Sequence, residues 1–179
     1  MNNHNTRRFA LRTLLIAPWL ALSLSHANEP KFVPKAQLVV DKVYAIVGPL
    51  GQRSVANAGL NANYGFVVTE QGVILIDSGA SAHSAAMLEK VIAQVTPQPV
   101  RWVLNTGSQD HRWLGNGYWQ AQGAVIIASA DAVADQQARG SLQMSALSQL
   151  LGAGLDGTEP STADIVFEGQ YAFDLGGVS

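Results

Sequence analysis

The sequence contains no cysteine, and this absence excludes several classes of protein at once. Without a thiol there is no disulfide scaffold, no thiolate zinc site, no cysteine nucleophile and no lipid anchor on an N-terminal cysteine. Histidine is almost as scarce, since the chain has only four. Any metal centre or acid–base mechanism must therefore use very few imidazoles, which are His4, His26, His83 and His111.

Charged residues are also few. They make up 13% of the 179 residues, and Lys+Arg number 11 against 13 for Asp+Glu, with no basic run interleaved with aromatics. This pattern excludes a nucleic-acid-binding surface. A hydrophobic share of 47% is too high for a disordered chain, and the length leaves room for one globular domain.

The first 27 residues have the pattern of an export signal. They contain three arginines and no acid, then an apolar stretch over Leu14–Leu24, and they end in Ser25-His26-Ala27. A stretch of roughly 11 residues is shorter than the about 20 that span a bilayer, so we expect a cleaved signal peptide and no stable membrane anchor. Export to the periplasm would follow the general secretory route or, because of Arg7-Arg8, the twin-arginine route. An uncleaved N-terminal anchor is the alternative.

The rest of the chain alternates predicted strands and helices, which indicates an α/β or α+β fold. Residues 28–36 form an extended lead-in, and 37–179 form one domain. The predicted strands and strand pairs are Gln37–Val47 (a hairpin), Tyr64–Thr69, Val73–Asp77, Val100–Leu104, Ala124–Ala128 and a final hairpin over Ile165–Phe173. The predicted helices are Ser81–Val95, Leu114–Gln122 and Ala130–Leu151, the last split or kinked at Gly140.

Polar residues cluster after two of the predicted strands, where open α/β sheets carry their functional loops. Asp77-Ser78-Gly79 follows one strand, and Asn105–Arg112 follows the next. The second segment contains Asp110 and His111, which are the candidate catalytic residues. From local chemistry alone, a solvated loop or a helix cap explains the same residues, and Asp77 could equally be a turn or capping residue.

Several of these segments resemble the metallo-β-lactamase superfamily, and in particular its exported zinc-metallohydrolase-like branch associated with quinoprotein systems. The resemblance rests on Gly65–Val68, Gly72–Gly79, Val103–Thr106 and Leu114–Asn116, and it covers about Lys42–Asp174. It implies a four-layer αββα sandwich, of which this chain would supply only the N-terminal half plus one hairpin. It also implies zinc-dependent hydrolysis of an ester, thioester or amide bond in a small molecule that the sequence does not identify.

The metal motif departs from the pattern that the resemblance implies, which is Asn-Thr followed by His-x-His-x-Asp-His. Without gaps, the two early His positions hold Gly107 and Gln109, the Asp position holds His111 and the last His position holds Arg112. A shift of one residue places Asp110-His111 on Asp-His, but then Thr106 and Ser108 fall on the His positions. In both registers glycine, hydroxyl or amide groups replace imidazoles, and these are poor zinc ligands.

The resemblance therefore implies a weak metal set of Gln109, Asp110 and His111, with Asp77 orienting the metal loop through hydrogen bonds. We expect impaired zinc chemistry. The alternatives are a non-catalytic periplasmic protein that binds a ligand or partner, and an incomplete chain without function of its own. A truncated sandwich would expose one apolar face of its sheet, so self-association through that face is also expected. Ser81 at a nucleophile elbow is a further alternative, against its interpretation as a helix cap.

Overall fold

The structure is a computed structural model that describes residues 31–172 and 174. The predicted signal peptide, residues 28–30 of the lead-in and Phe173 lie outside the described residues. Within 31–172, no helix is both long enough and apolar enough to cross a membrane.

One seven-stranded sheet forms the centre of the fold, and its strands lie side by side in chain order. The first four strands pair antiparallel and the last three join them in parallel. The strands are β1 (Ala36–Val40), β2 (Val43–Ile46), β3 (Tyr64–Thr69), β4 (Gly72–Ile76), β5 (Val100–Leu104), β6 (Val125–Ser129) and β7 (Ile165–Phe167). The helices are α1 (Ala82–Ala93), α2 (Asp110–Trp113), α3 (Asn116–Ala121) and α4 (Ala130–Leu151), followed by a 3₁₀ turn at Gly152–Leu155.

The main core lies between one face of the sheet and helices α1 and α3. Alternate residues of each strand face it, as the two-residue period of a strand requires. Phe66, Leu75 and Val103 are fully buried there against Leu88 of α1 and Trp119 of α3. The intervening residues face the other side of the sheet and form a smaller apolar cluster centred on Ile74 and Ile127.

Helix α1 begins where the sequence predicts. The side chain of Ser81 accepts a hydrogen bond from the backbone N–H of Ser84, and Ser84 Oγ accepts one from the Ser81 N–H. This reciprocal pair is a capping box, which satisfies two backbone donors that a helix start leaves free. Ser81 is fully buried, so its role here is a helix cap.

Most predicted elements are confirmed to within about two residues, and three differ. Asp110–Trp113, expected to be loop, is a short helix. Helix α4 is continuous through Gly140 and so is not split there, and a Cβ atom at this position would lie 3.0 Å from the indole of Trp113. The final hairpin is not formed as predicted: β7 pairs in parallel with β6, and Tyr171 and Ala172 are not in a strand.

Candidate functional site

Three chain segments meet at one edge of the sheet. Strands β2, β4 and β5 point in the same direction, because β3 runs antiparallel to both β2 and β4 while β5 is parallel to β4. The loop 47–63 after β2, Asp77 after β4 and the segment 105–112 after β5 therefore share this edge. The sequence analysis named the second and third of these segments as candidate functional loops, and the structure adds the first.

Asp77 anchors the start of the loop that follows β5. Its carboxylate accepts hydrogen bonds from the backbone N–H of Thr106 at 2.8 Å and from the Thr106 hydroxyl at 3.0 Å and 2.9 Å. Asp77 has a φ of 64°, a left-handed conformation that is uncommon outside glycine and that the side chain helps to hold. Arg112 completes the group, with Nη1 at 3.4 Å from Oδ2 of Asp77 and in contact with the Thr106 hydroxyl.

The Asp77 carboxyl group is almost completely buried, with 7% of its side chain exposed. Burial raises its pKa above the usual range, and the hydrogen bonds from Thr106 and the charge of Arg112 oppose that rise without cancelling it. Within the described residues, the hydrogen bonds of the Asp77 side chain are all with Thr106 and Arg112, which belong to segment 105–112. Asp77 thus holds the start of segment 105–112 through Thr106, and the metal-loop role that the resemblance implies for it stays a prediction.

Asp110 and His111, the two candidate catalytic residues, lie side by side in the first turn of α2. The backbone N–H of His111 donates to Oδ1 of Asp110 at 2.7 Å, and the imidazole Nδ1 lies 3.2 Å from that oxygen. Both side chains are largely buried, with 14% and 17% exposed. A carboxylate oxygen and a ring nitrogen thus face the same small space.

Arg53 fills that space from the loop after β2. Its Nη2 is 2.9 Å from Nδ1 of His111 and forms an ion pair with Oδ1 of Asp110. A guanidinium can only donate, so the contact with Arg53 is a hydrogen bond when Nδ1 accepts, and this network assigns the imidazole proton to Nε2. One nitrogen of Arg53 therefore uses the lone pairs of both candidate residues.

The charge of Arg53 also sets the protonation of Asp110. Burial alone would raise the pKa of this carboxyl group, but the charge of Arg53 and the hydrogen bond from the backbone N–H of His111 oppose it, and the pKa lies below its usual value. Asp110 is thus a carboxylate at neutral pH with an ion-pair partner in place.

Gln109, the third predicted metal ligand, is not part of this group. It occupies the position before the first residue of α2 and is exposed, and its side chain makes no hydrogen bond to Asp110 or His111 within the described chain. Helix α4 holds the neighbouring backbone instead. Gln136 donates to the Gly107 carbonyl at 3.1 Å, and Gln143 donates to the Ser108 carbonyl at 2.9 Å.

The donor set does not fit the zinc that the resemblance implied. Within 31–172 and 174, no three His, Cys, Asp or Glu side chains come together in a way that could hold a metal ion. The two donors that do meet, Asp110 and His111, already share a cationic nitrogen of Arg53. A guanidinium at the ligand atoms opposes a divalent cation by direct charge repulsion.

Sequence reasoning missed two residues of this site. No motif marks Arg53 as a functional residue, and the only signal for it is that it is the one arginine or lysine between Lys42 and Lys90. Tyr64 begins β3 at the same edge, and its hydroxyl is buried without a hydrogen bond to any of the described residues. Burial, and next the negative charge of Asp77, raises the pKa of Tyr64, so the phenol stays protonated.

Comparisons with known proteins agree with this fold. The sequence model of the metallo-beta-lactamase superfamily matches residues 58–177. None of the curated proteins is similar enough in sequence to count as a match. Among solved structures, a metallo-beta-lactamase from Pontibacter korlensis has 19% identity and a TM-score of 0.56, and the match covers 80% of this chain and 57% of that one.

Two further structures resemble the chain to a similar degree. A HARLDQ motif mutant of the metallo-beta-lactamase from Cronobacter sakazakii has 24% identity and a TM-score of 0.55, over 80% of this chain and 51% of that one. A metallo-beta-lactamase from Pseudomonas aeruginosa, solved in its mono-zinc form, has 19% identity and a TM-score of 0.50, over 62% and 48%. The chain thus spans about half the length of these proteins, and at such identities the likeness concerns the fold.

Proposed function

The chain belongs to the metallo-β-lactamase superfamily, and from this premise we propose that it is an exported, hydrolase-like member with impaired zinc chemistry. Membership of the superfamily supports a hydrolase-like function, and zinc is the metal that the family implies. The proposed chemistry is hydrolysis of an ester, thioester or amide bond in a small molecule, at a rate far below that of a member with a full set of metal ligands.

The observation that carries this proposal is the pairing of both acidic side chains with arginines. Asp110 is bound to Arg53, and Asp77 lies 3.4 Å from Arg112. A carboxylate that acts as a metal ligand or general base needs a free lone pair directed at the metal or substrate. Here Oδ1 of Asp110 and Nδ1 of His111 are both directed at Arg53, so these two atoms are engaged within the protein.

A second function, ligand or partner binding without turnover, is supported by the same pairing. The two acids and two arginines of the site balance in charge, and such a network holds its shape without a metal. The two functions differ in the fate of the bound molecule. Only the hydrolase-like function releases product.

Hydrolysis assays with added zinc test the proposal. Chromogenic ester, thioester and β-lactam substrates would be incubated with the full chain in zinc-containing and in chelator-containing buffer. We expect slow hydrolysis of at least one class, lowered further by Asp110→Asn, while the exposed Asp156→Asn variant behaves as the wild type. Stoichiometric tight zinc with fast turnover would refute the impairment, and substrate binding without any product would favour the non-catalytic function.

Export is the part of the proposal that rests on sequence alone. The three arginines, the apolar stretch over Leu14–Leu24 and the small residues around Ala27 support a cleaved signal peptide. Without residues 1–27 the formal charge changes from −2 to −5, because Lys+Arg falls from 11 to 8 while the 13 acids remain. The proposed site of action is the periplasm.

A further inference from the structure

The position of one guanidinium nitrogen distinguishes this site from an ordinary surface ion pair. Nη2 of Arg53 contacts Oδ1 of Asp110 and lies 2.9 Å from Nδ1 of His111, and these two acceptors are 3.2 Å from each other. Here a single donor nitrogen also engages a ring nitrogen, so both acceptors point at the same location.

The spacing of the two acceptors is the spacing that a tetrahedral metal ion imposes on its ligands. With zinc–ligand bonds of about 2.0–2.1 Å and tetrahedral angles, two neighbouring ligand atoms lie about 3.3 Å apart. The observed 3.2 Å separation of Oδ1 and Nδ1 is close to this value, and it is also within the range of a hydrogen bond. The pair therefore has the spacing of two metal ligands, although its occupant is a guanidinium nitrogen.

The loop around Arg53 is built to hold the guanidinium there. Asn57, which is buried, accepts a hydrogen bond from the Ser54 N–H at 2.9 Å and donates one to the Gln52 carbonyl at 2.9 Å. These bonds fix the backbone on both sides of Arg53. The arginine thus approaches α2 from an ordered turn, and 21% of its side chain is exposed.

We propose that Arg53 is a built-in cation in the place of a divalent metal, so that removing its charged head opens a metal site at Asp110 and His111. This inference deepens the proposed function, because it assigns the impairment of zinc binding to competition by one side chain. A guanidinium is protonated at every physiological pH, so the competing charge is permanent. Water would complete the coordination of an ion bound to only two protein ligands.

Metal titration of the full chain tests the inference without any activity measurement. Zn²⁺ affinity would be measured by competition with a chromogenic chelator, and Co²⁺ binding by its visible absorption. We expect Arg53→Gln to bind both ions about tenfold more tightly than the wild type or better, since a like charge within a few ångströms is removed. Arg53→Lys keeps the cation and should stay close to the wild type.

Two control variants show whether the increase in metal affinity arises at Asp110 and His111. Arg101→Gln removes an exposed arginine from β5, outside the site, and should leave metal affinity unchanged. Arg53→Gln combined with His111→Ala removes one proposed ligand and should lose the tenfold gain. An affinity of Arg53→Gln no tighter than the wild type, or a gain that survives His111→Ala, would overturn the inference.

A measurement on the wild type keeps the test decisive if Arg53→Gln folds poorly. The ¹⁵N chemical shifts of His111 at neutral pH should show an unprotonated Nδ1 and a protonated Nε2, because Nδ1 accepts from Arg53. The reverse tautomer would remove the basis of the inference. The zinc affinity of the wild type tests the proposed function. The ratio of the zinc affinities of Arg53→Gln and the wild type tests the role of Arg53.

Discussion

Asn105, at the end of β5, and Asn116, at the start of α3, exchange two hydrogen bonds through their side-chain amides. The Asn105 amide N–H donates to Oδ1 of Asn116 at 3.1 Å, and the Asn116 amide N–H donates to Oδ1 of Asn105 at 2.9 Å. Asn105 also donates to the Arg112 carbonyl at 2.7 Å, and Asn116 to the Ser161 carbonyl at 2.9 Å. This pair fixes both ends of the segment that carries Asp110 and His111.

The first prediction concerns this pair. Asn116→Ala should lower the free energy of unfolding by about 2–3 kcal/mol, because loss of this fully buried side chain leaves Oδ1 of Asn105 and the Ser161 carbonyl without their hydrogen-bond donor. Urea unfolding followed by tryptophan fluorescence measures the change. Gln137→Ala, at an exposed position of α4, is the matched control and should change stability by less than about 0.5 kcal/mol. Equal effects of the two changes would contradict the role of the pair.

The second prediction concerns the close contact between α3 and the chain after β4. A Cβ atom at Gly115 would lie 2.1 Å from the carbonyl oxygen of Ser78, which also accepts a hydrogen bond from the indole of Trp119. Backbone must move to relieve this clash, so Gly115→Ala should destabilise the fold by about 3 kcal/mol or more.

Gly154→Ala is the matched control for that change. A Cβ atom there would meet only the Leu151 side chain, at an ordinary 3.5 Å. Thermal melting of both variants and the wild type compares them. If Gly115→Ala and Gly154→Ala have the same melting temperature, helix α3 does not approach Ser78 closely enough to exclude a methyl group.

The third prediction concerns pH. Because the folded-state pKa of Asp110 lies below its unfolded value of about 3.9, its ion pair stabilises the fold fully above that value. The contribution falls as the pH drops below about 4 and is gone once the folded-state pKa is passed. Asp110→Asn should therefore lose stability at neutral pH but show a smaller further loss between about pH 4 and 2.5. The free energy of unfolding would be measured by urea unfolding at each pH. An equal loss of stability in the variant and the wild type between about pH 4 and 2.5 would contradict the prediction.

The fourth prediction concerns processing. Cleavage after Ala27 should give a periplasmic protein that begins at Asn28, because the small residues before this bond are those that a signal peptidase recognises. Intact-mass analysis of the periplasmic fraction measures the first residue. Protein from that fraction that still carries Met1 would contradict the prediction, and Ala27→Phe should block cleavage.

Most of the sheet and helices could be predicted because their signals are local. The signals are the aromatic and β-branched residues of Tyr64–Thr69, the continuous apolar run before Asp77 and the Ser81 cap, and each concerns a single element. The predicted split at Gly140 is wrong, since a glycine in a helix indicates a weak point only until the residue that packs on it is known, and here that residue is Trp113. Self-association through the sheet face around Ile74 and Ile127 stays a prediction.

The sequence by itself determined the order of the strands and helices, the family and the presence of Asp77, Asp110 and His111 at strand ends. Tertiary structure decided what those groups contact. Arg53 is 57 residues before Asp110, and no periodicity or spacing connects the two. They meet because β2, β4 and β5 point the same way in one sheet, which brings the loops at their ends to one edge. A local sequence pattern shows which residues a segment contains. Which charged side chain faces them, here Arg53, depends on how strands that are distant in the sequence pair in the sheet.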